Sequence, residues 1–255
     1  MTGARAQGTQ DAARGRGGGG QGGRPGPGWI DRLPRDRLIA EVSVWSADLG
    51  RLAEDVARVD AHADLWHVDV CDGHFAPQLL IFPDLAAVLR RLTAKPLHVH
   101  LMVDGAILEA QIAQFAAAGA DLISIHAEHG PDAVDRALDR IAGLGLAAGL
   151  VLTLDTPVAD AAPWLDRADV LTLVGTRIGI KGVSPDETTY ARLASARGLI
   201  DARGGDRRIV LAADGGIRES TVPRMRAAGA QTVVLGSLAF GADDLPARMR
   251  WLAGL

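Results

Sequence analysis

Four polar side chains stand in three apolar, strand-like runs, where packing alone gives no reason for them. They are His67 and Asp69 in LWHVDVCDGHF, His100 in PLHVHLMV, and Asp214 in IVLAADGGI. A buried charge is costly unless it is paired or coordinates a metal. Two imidazoles and two carboxylates are enough to hold one divalent metal ion, and this donor mix suits Zn²⁺, Fe²⁺, Mn²⁺ or Co²⁺. A hydrogen-bonded His/Asp network without a metal is the competing account. Four such residues at strand ends favour the metal.

The elements that carry these residues follow from pattern. His67 and Asp69 are two apart on one strand and share a face. His98, His100 and Met102 repeat the arrangement on the next strand. His100 is the nearer of the two histidines to the strand's C-terminal end, and Met102 is a candidate substrate contact beyond it. Glu41 and His98 also fall on inward positions, low in the fold, where a hydrogen-bonded network rather than catalysis is expected. His126, ending the fourth strand, either lines the pocket or is structural. Strands are expected near 38–44, 65–70, 96–102, 121–126, 147–153, 169–174, 208–213 and 231–236. Helices are expected near 48–60, 83–93, 106–118, 131–143, 158–166, 186–203, 219–228 and 242–253. In 106–118 the apolar stripe reads Ile107, Ala110, Ile112, Phe115 and Ala118.

Eight alternations of strand and helix imply the α/β class and a parallel sheet with crossover helices. The length suits a (β/α)8 TIM barrel, in which residues at the C-terminal ends of the strands converge on one site. One domain is expected over residues 35–255. Residues 1–34 are rich in Gly and Arg and poor in large apolar side chains, so they are expected to be a disordered extension. A solvated extension without a specific role and an RNA-binding tail are both readings of it. The absence of interleaved aromatics in its first 28 residues disfavours the second.

The whole-chain properties exclude several function classes. The net charge of −4 over 255 residues gives no global case for nucleic acid or membrane binding. No apolar run reaches the roughly 18–20 residues that span a bilayer. Cys71 is the single cysteine. No disulfide can form within the chain, which favours a reducing, cytoplasmic location.

Glycines form a second constellation. Gly215-Gly216 follows the seventh strand and Gly236-Ser237 the eighth. The loops after strands seven and eight are where such barrels commonly bind phosphate through backbone N–H groups. Tight turns alone would also account for these glycines.

These stretches resemble the ribulose-phosphate 3-epimerase family. HVDVCDGHFAP is similar to that family's HxDxMDGxFVP, VHLMV at 99–103 matches its second signature, and IHAE at 125–128 matches a further strand. ADGGI, GSLAF and SVWSADL resemble its VDGGI, GSAIF and SILSADF, all in the family's order. The resemblance implies that His67, Asp69, His100 and Asp214 are ligands of one divalent metal and that Asp69 and Asp214 are the acid/base pair. It implies that Ser43 lies beside the reacting end of the substrate, and that Gly215, Gly216, Gly236 and Ser237 cradle a phosphate. The expected reaction is inversion of C3 of a small ketose phosphate, most simply D-ribulose 5-phosphate to D-xylulose 5-phosphate. A homo-oligomer is the expected assembly.

The chain departs from that pattern around the sixth loop. Where the family resembles MSVNPGFGGQ, this chain has VGTRIGIKGV at 174–183. Gly179 and Gly182 survive as candidate substrate contacts, while Arg177 and Lys181 are new cations and candidate selectivity residues. Phe82, at a position usually small, is a third, and Trp45 stands beside Ser43. The same chemistry on a four- or six-carbon ketose phosphate therefore stays open, as does a non-catalytic sugar-phosphate-binding barrel. A decarboxylase or aldolase of the related phosphate-binding barrels is disfavoured, because Cys71 stands where those have a lysine.

Overall fold

The computed structural model describes residues 23–255. Eight parallel strands close in sequence order into a barrel: β1 Ile39–Ser43, β2 Leu65–Cys71, β3 Leu97–Met102, β4 Leu122–His126, β5 Ala147–Leu152, β6 Val170–Val174, β7 Val210–Asp214 and β8 Thr232–Leu235. Outside them run α1 Leu52–Val59, α2 Pro83–Leu92, α3 Leu108–Ala118, α4 Pro131–Gly143, α5 Thr188–Arg203, α6 Val222–Ala227, the single turn α7 Ser237–Phe240, and α8 Leu245–Ala253. This is the TIM barrel that the alternation predicts.

Strands covered on both faces read as nearly continuous apolar runs. Val68, Val99, Ile123, Leu150, Leu171 and Leu211 belong to the main core cluster, together with Val56, Leu89, Phe115 and Ile141 from the helices. Alternation then sends the intervening residues, Glu41, His67, Asp69, His98 and His100, to the barrel interior.

Three expectations need correction. The fifth crossover is not an α-helix over 158–166 but a 3₁₀ segment, Val158–Trp164, with Pro163 inside it. Proline lacks the N–H that an α-helical turn needs. In α3 the buried stripe is Leu108, Ile112, Phe115 and Ala116, whereas Ile107 is 39% exposed at the helix entrance.

The third correction concerns the extension expected over 1–34. Residues 1–22 lie outside the described residues, but 23–34 belong to the fold. Trp29–Arg32 form a 3₁₀ turn. Ile30 and Leu33 are buried with Ile39, Leu65, Leu122, Val170 and Val210, and Trp29 packs against them. These strand residues sit at the N-terminal ends of β1, β2, β4, β6 and β7, so the segment stoppers the bottom of the barrel. Arg208 fastens it by donating to the carbonyls of Ile30, Leu33 and Pro34 at 3.0, 2.8 and 2.7 Å.

Candidate active site and metal centre

Strand register brings the chemistry together. Asp69 on β2 lies opposite His100 on β3, and His67 lies opposite Ser43 on β1. Asp214 closes β7 at the same end of the barrel. His67 Nε2 is 3.1 Å from Asp69 Oδ1 and 3.9 Å from Asp214 Oδ2. His100 Nδ1 is 3.6 and 3.5 Å from the same two oxygens. The four ligand atoms all lie within 4.8 Å of one another. Residues from two neighbouring strands, β2 and β3, and from the distant β7 thus converge as the sequence predicts.

The donor set fits a divalent cation. His100 Nδ1 is buried and has no hydrogen-bond partner among the described residues, although it faces two carboxylates. A buried polar atom of this kind is costly to leave unsatisfied. A divalent cation held by the two nitrogens and two carboxylate oxygens would give it, and them, a common partner.

A layer beneath the donors orients them. Glu41 Oε1 accepts hydrogen bonds from Nδ1 of His67 at 2.7 Å and of His98 at 2.5 Å. Burial alone would raise the Glu41 pKa, but the adjacent His98 and His67 outweigh it and hold the carboxyl far below its usual range. Because His67 Nδ1 donates to Glu41, its Nε2 is the nitrogen that faces the carboxylates. Burial works against charging His67, yet Asp69 and Glu41 raise its pKa well above the ordinary value. His100 is raised too, against burial, by Asp214 and Asp69. Asp69 is held well below the usual carboxylate range, in spite of its burial, by His67 and His100. Ser43 Oγ donates to Asp69 Oδ2 at 2.6 Å, which leaves Oδ1 for the centre.

The centre forms the floor of a cleft of about 470 Å³ at the C-terminal end of the strands. Of the sequence-predicted site residues, Ser43, Asp69, His100, Met102, Arg177, Gly179, Lys181, Gly182, Asp214, Gly215, Gly216, Gly236 and Ser237 line it. His67 is fully buried just beneath. Gly215 and Gly216 have φ of 86° and 68°. A Cβ on Gly216 would fall 2.3 Å from the backbone nitrogen of Pro185, so only glycine fits there. The β7 turn is thereby held close to the sixth loop. Lys181 Nζ donates to the Trp45 carbonyl at 2.8 Å and sits 5.3 Å from the centre of that ring. It ties the sixth loop to the loop after β1, across the mouth of the cleft.

Phe82 is not at this site. It is 59% exposed and lines a neighbouring apolar hollow with Leu49, Leu79 and Ile107. The strand-to-helix loop after β2 runs outward before Pro83 starts α2, and it carries Phe82 with it. Cys71 is buried, with Sγ 3.8 Å from Met102 Sδ. Burial and the charges of Asp69, Asp72 and Asp214 push its thiol up to about 12, so it packs rather than reacts. His126 stands behind His100 rather than in the cleft, at 2.9 Å between their Nε2 atoms.

Three residues escaped the sequence reading. Ser46 and Arg218 line the cleft, and Glu128 accepts from His126 Nδ1 at 3.0 Å. Arg218 directly follows the ADGGI turn and Glu128 closes IHAE, so both were within reach of the motifs.

Comparison with known proteins agrees with this geometry. A family model described as "Ribulose-phosphate 3 epimerase family" matches residues 39–240. The chain is 40% identical over 210 residues to the ribulose-phosphate 3-epimerase of Escherichia coli, covering 81% of this chain and 90% of that one. It is 38% identical over 205 residues to ribulose-phosphate 3-epimerase 1 of Cupriavidus necator, covering 79% and 84%. Among solved structures it is similar to 3-hexulose-6-phosphate synthase from Salmonella typhimurium, with a TM-score of 0.64 at 17% identity over 85% of this chain and 97% of that one. At that identity the likeness concerns the fold alone. With two thirds and more of each relative covered at these identities, the chain belongs to the ribulose-phosphate 3-epimerase family.

Proposed function

We propose that the protein inverts C3 of a ketose phosphate, interconverting D-ribulose 5-phosphate and D-xylulose 5-phosphate, with Asp69 and Asp214 as its acid/base pair. The observation that carries this reading is that the two carboxylates reach one point from β2 and β7 at the floor of an open cleft. Inversion at carbon needs a proton removed on one face and delivered on the other, a task for two groups that flank the substrate, and Asp69 and Asp214 come from strands far enough apart to do so.

His67, Asp69, His100 and Asp214 would hold one divalent cation, with Zn²⁺, Fe²⁺, Mn²⁺ and Co²⁺ all compatible with the donors. Such a cation supplies Lewis acidity toward vicinal ketose oxygens. One aspartate, as the carboxylate, takes the proton from C3, which becomes planar as the electron pair is taken up by the C2 carbonyl. The other, in its protonated form, delivers a proton to the opposite face as that pair returns to C3. Ser43 holds the Asp69 carboxylate in place through its 2.6 Å hydrogen bond. Gly215-Gly216 and Gly236-Ser237 offer backbone N–H groups to the phosphate, with α7 as the short extra helix that often completes such a cradle. Met102, Gly179 and Gly182 bound the sugar. A homo-oligomer, as in the family, is the assembly we propose, and light scattering measures it.

A second reading keeps the chemistry and changes the sugar. Arg177, Lys181 and Arg218 all line the cleft, an excess of cations beside its two acidic groups that would suit a more anionic or longer ketose phosphate. The test is incubation of purified protein and divalent metal with D-ribulose 5-phosphate, followed by NMR. Appearance of D-xylulose 5-phosphate supports the first reading. No conversion by metal-loaded protein contradicts it and directs the search to other ketose phosphates.

A further inference from the structure

We propose that Glu128, acting through His126, decides which ring nitrogen of His100 carries its proton and so keeps the Nδ1 lone pair of His100 available to a cation. The inference rests on the metal-site reading above. Neither residue lines the cleft, so both are positioning residues.

The argument is one of donors and acceptors. His100 Nε2 and His126 Nε2 are 2.9 Å apart. A hydrogen bond between two imidazole nitrogens needs one N–H and one lone pair. The far side of His126 settles which is which. Its Nδ1 lies 3.0 Å from Glu128 Oε2, and a carboxylate only accepts. The hydrogen of His126 is therefore on Nδ1, and its Nε2 is the acceptor. In the neutral ring, the form that binds a cation, His100 must then donate from Nε2, which leaves Nδ1 bare. That Nδ1 is the buried atom without a partner, facing Asp69 and Asp214.

Glu128 is itself held as an acceptor on both oxygens. Its Oε1 receives the Thr153 N–H and the Thr153 hydroxyl, each at 2.8 Å, and the Thr156 hydroxyl. Arg192 secures that loop by donating to the carbonyls of Thr153 and Thr156 at 2.6 and 2.8 Å. The two imidazole ligands thus present different nitrogens, and a carboxylate on the far side selects each one. Glu41 acts directly on His67, whereas Glu128 acts on His100 through a second ring.

The isosteric Glu128→Gln variant tests this without opening a cavity. The donors at Oε1 will take the amide oxygen, so the amide NH₂ faces His126 Nδ1 and turns it into an acceptor. His126 Nε2 then donates, His100 Nε2 must accept, and the His100 proton moves to Nδ1. Long-range ¹H–¹⁵N NMR of ¹⁵N-histidine protein at alkaline pH reads the tautomers without metal, and competition with a chelating dye reads Zn²⁺ affinity. The wild type should show His100 protonated at Nε2. Glu128→Gln should show it at Nδ1 and bind Zn²⁺ about ten- to a hundredfold more weakly. An unchanged tautomer, or a changed tautomer with unchanged affinity, would overturn the proposal. Should the wild type bind no Zn²⁺, the metal-site reading fails, and the tautomer comparison still decides what Glu128 does.

Discussion

Ser43 Oγ donates a 2.6 Å hydrogen bond to Oδ2 of Asp69, across the β1–β2 pairing and away from the oxygen that faces the histidines. One oxygen of the carboxylate is occupied from the side and the other is directed to the centre. A hydrogen bond to a charged group contributes about 1.5–3 kcal/mol. Ser43→Ala should therefore lower kcat/KM by about ten- to a hundredfold, and lower the urea midpoint as well, because the buried Asp69 carboxylate loses its donor. Steady-state kinetics measure it, and a kcat/KM within about twofold of the parent would remove Ser43 from the machinery.

Opposite pH trends should separate the metal-free and metal-loaded protein. His67 and His100 have folded pKa values above the ordinary histidine value. In chelated protein their contribution to stability is fully present below about pH 6.5 and is lost as pH rises through the folded values. Metal ligation needs neutral imidazoles, so the loaded protein gains stability over the same window. As pH rises from about 6.5 through the folded values, the urea midpoint should fall with chelator and rise with saturating Zn²⁺. His98 and His126 are shifted downward, His126 to about 4, so they act below this window. Midpoints that move in the same direction in both preparations would contradict the assignment of these two histidines.

The N-terminal stopper should matter for stability and not for catalysis. Ile30 is 8% exposed and far from the cleft. Ile30→Ala should cost about 2–4 kcal/mol of unfolding free energy and leave kcat/KM unchanged. A loss below about 0.5 kcal/mol, the usual scatter of surface substitutions, would mean that the barrel bottom does not depend on this segment.

Lys181 is the residue by which the altered sixth loop reaches the mouth of the cleft. Lys181→Ala removes both its hydrogen bond to the Trp45 carbonyl and a cation beside the site. KM for the ketose phosphate should rise about three- to tenfold, in keeping with about 1 kcal/mol for a partly exposed ionic contact. An unchanged KM would leave the loop with no ionic role in binding.

Much of the site was legible because the barrel strands obey a strict two-residue period. His67 with Asp69, and His98 with His100, could only share the interior face. Asp214 before two glycines could only end a strand. What escaped depends on tertiary closure. Alternation puts His126 on an inward position, but only the closed barrel sets it behind His100 instead of in the cleft. Phe82 lies in a loop with no periodicity, so its direction had no local signal. Trp29, Ile30 and Leu33 were obscured by the Gly- and Pro-rich residues around them, and the acceptors that bind the segment to Arg208 are the backbone carbonyls of Ile30, Leu33 and Pro34, which no side-chain pattern reveals.

The central claim is that Asp69 and Asp214 move protons at C3 from opposite faces. It is tested most directly by ¹H NMR of D-ribulose 5-phosphate in D₂O with wild type, Asp69→Asn and Asp214→Asn, each checked for bound metal. The wild type should exchange the C3 hydrogen for deuterium and form the epimer. Each variant should lose epimerisation by about 10²–10⁴-fold, and the variant that lacks only the delivering acid should exchange C3 without inverting it. Epimerisation within a few-fold of wild type in either metal-loaded variant would contradict the two-carboxylate account.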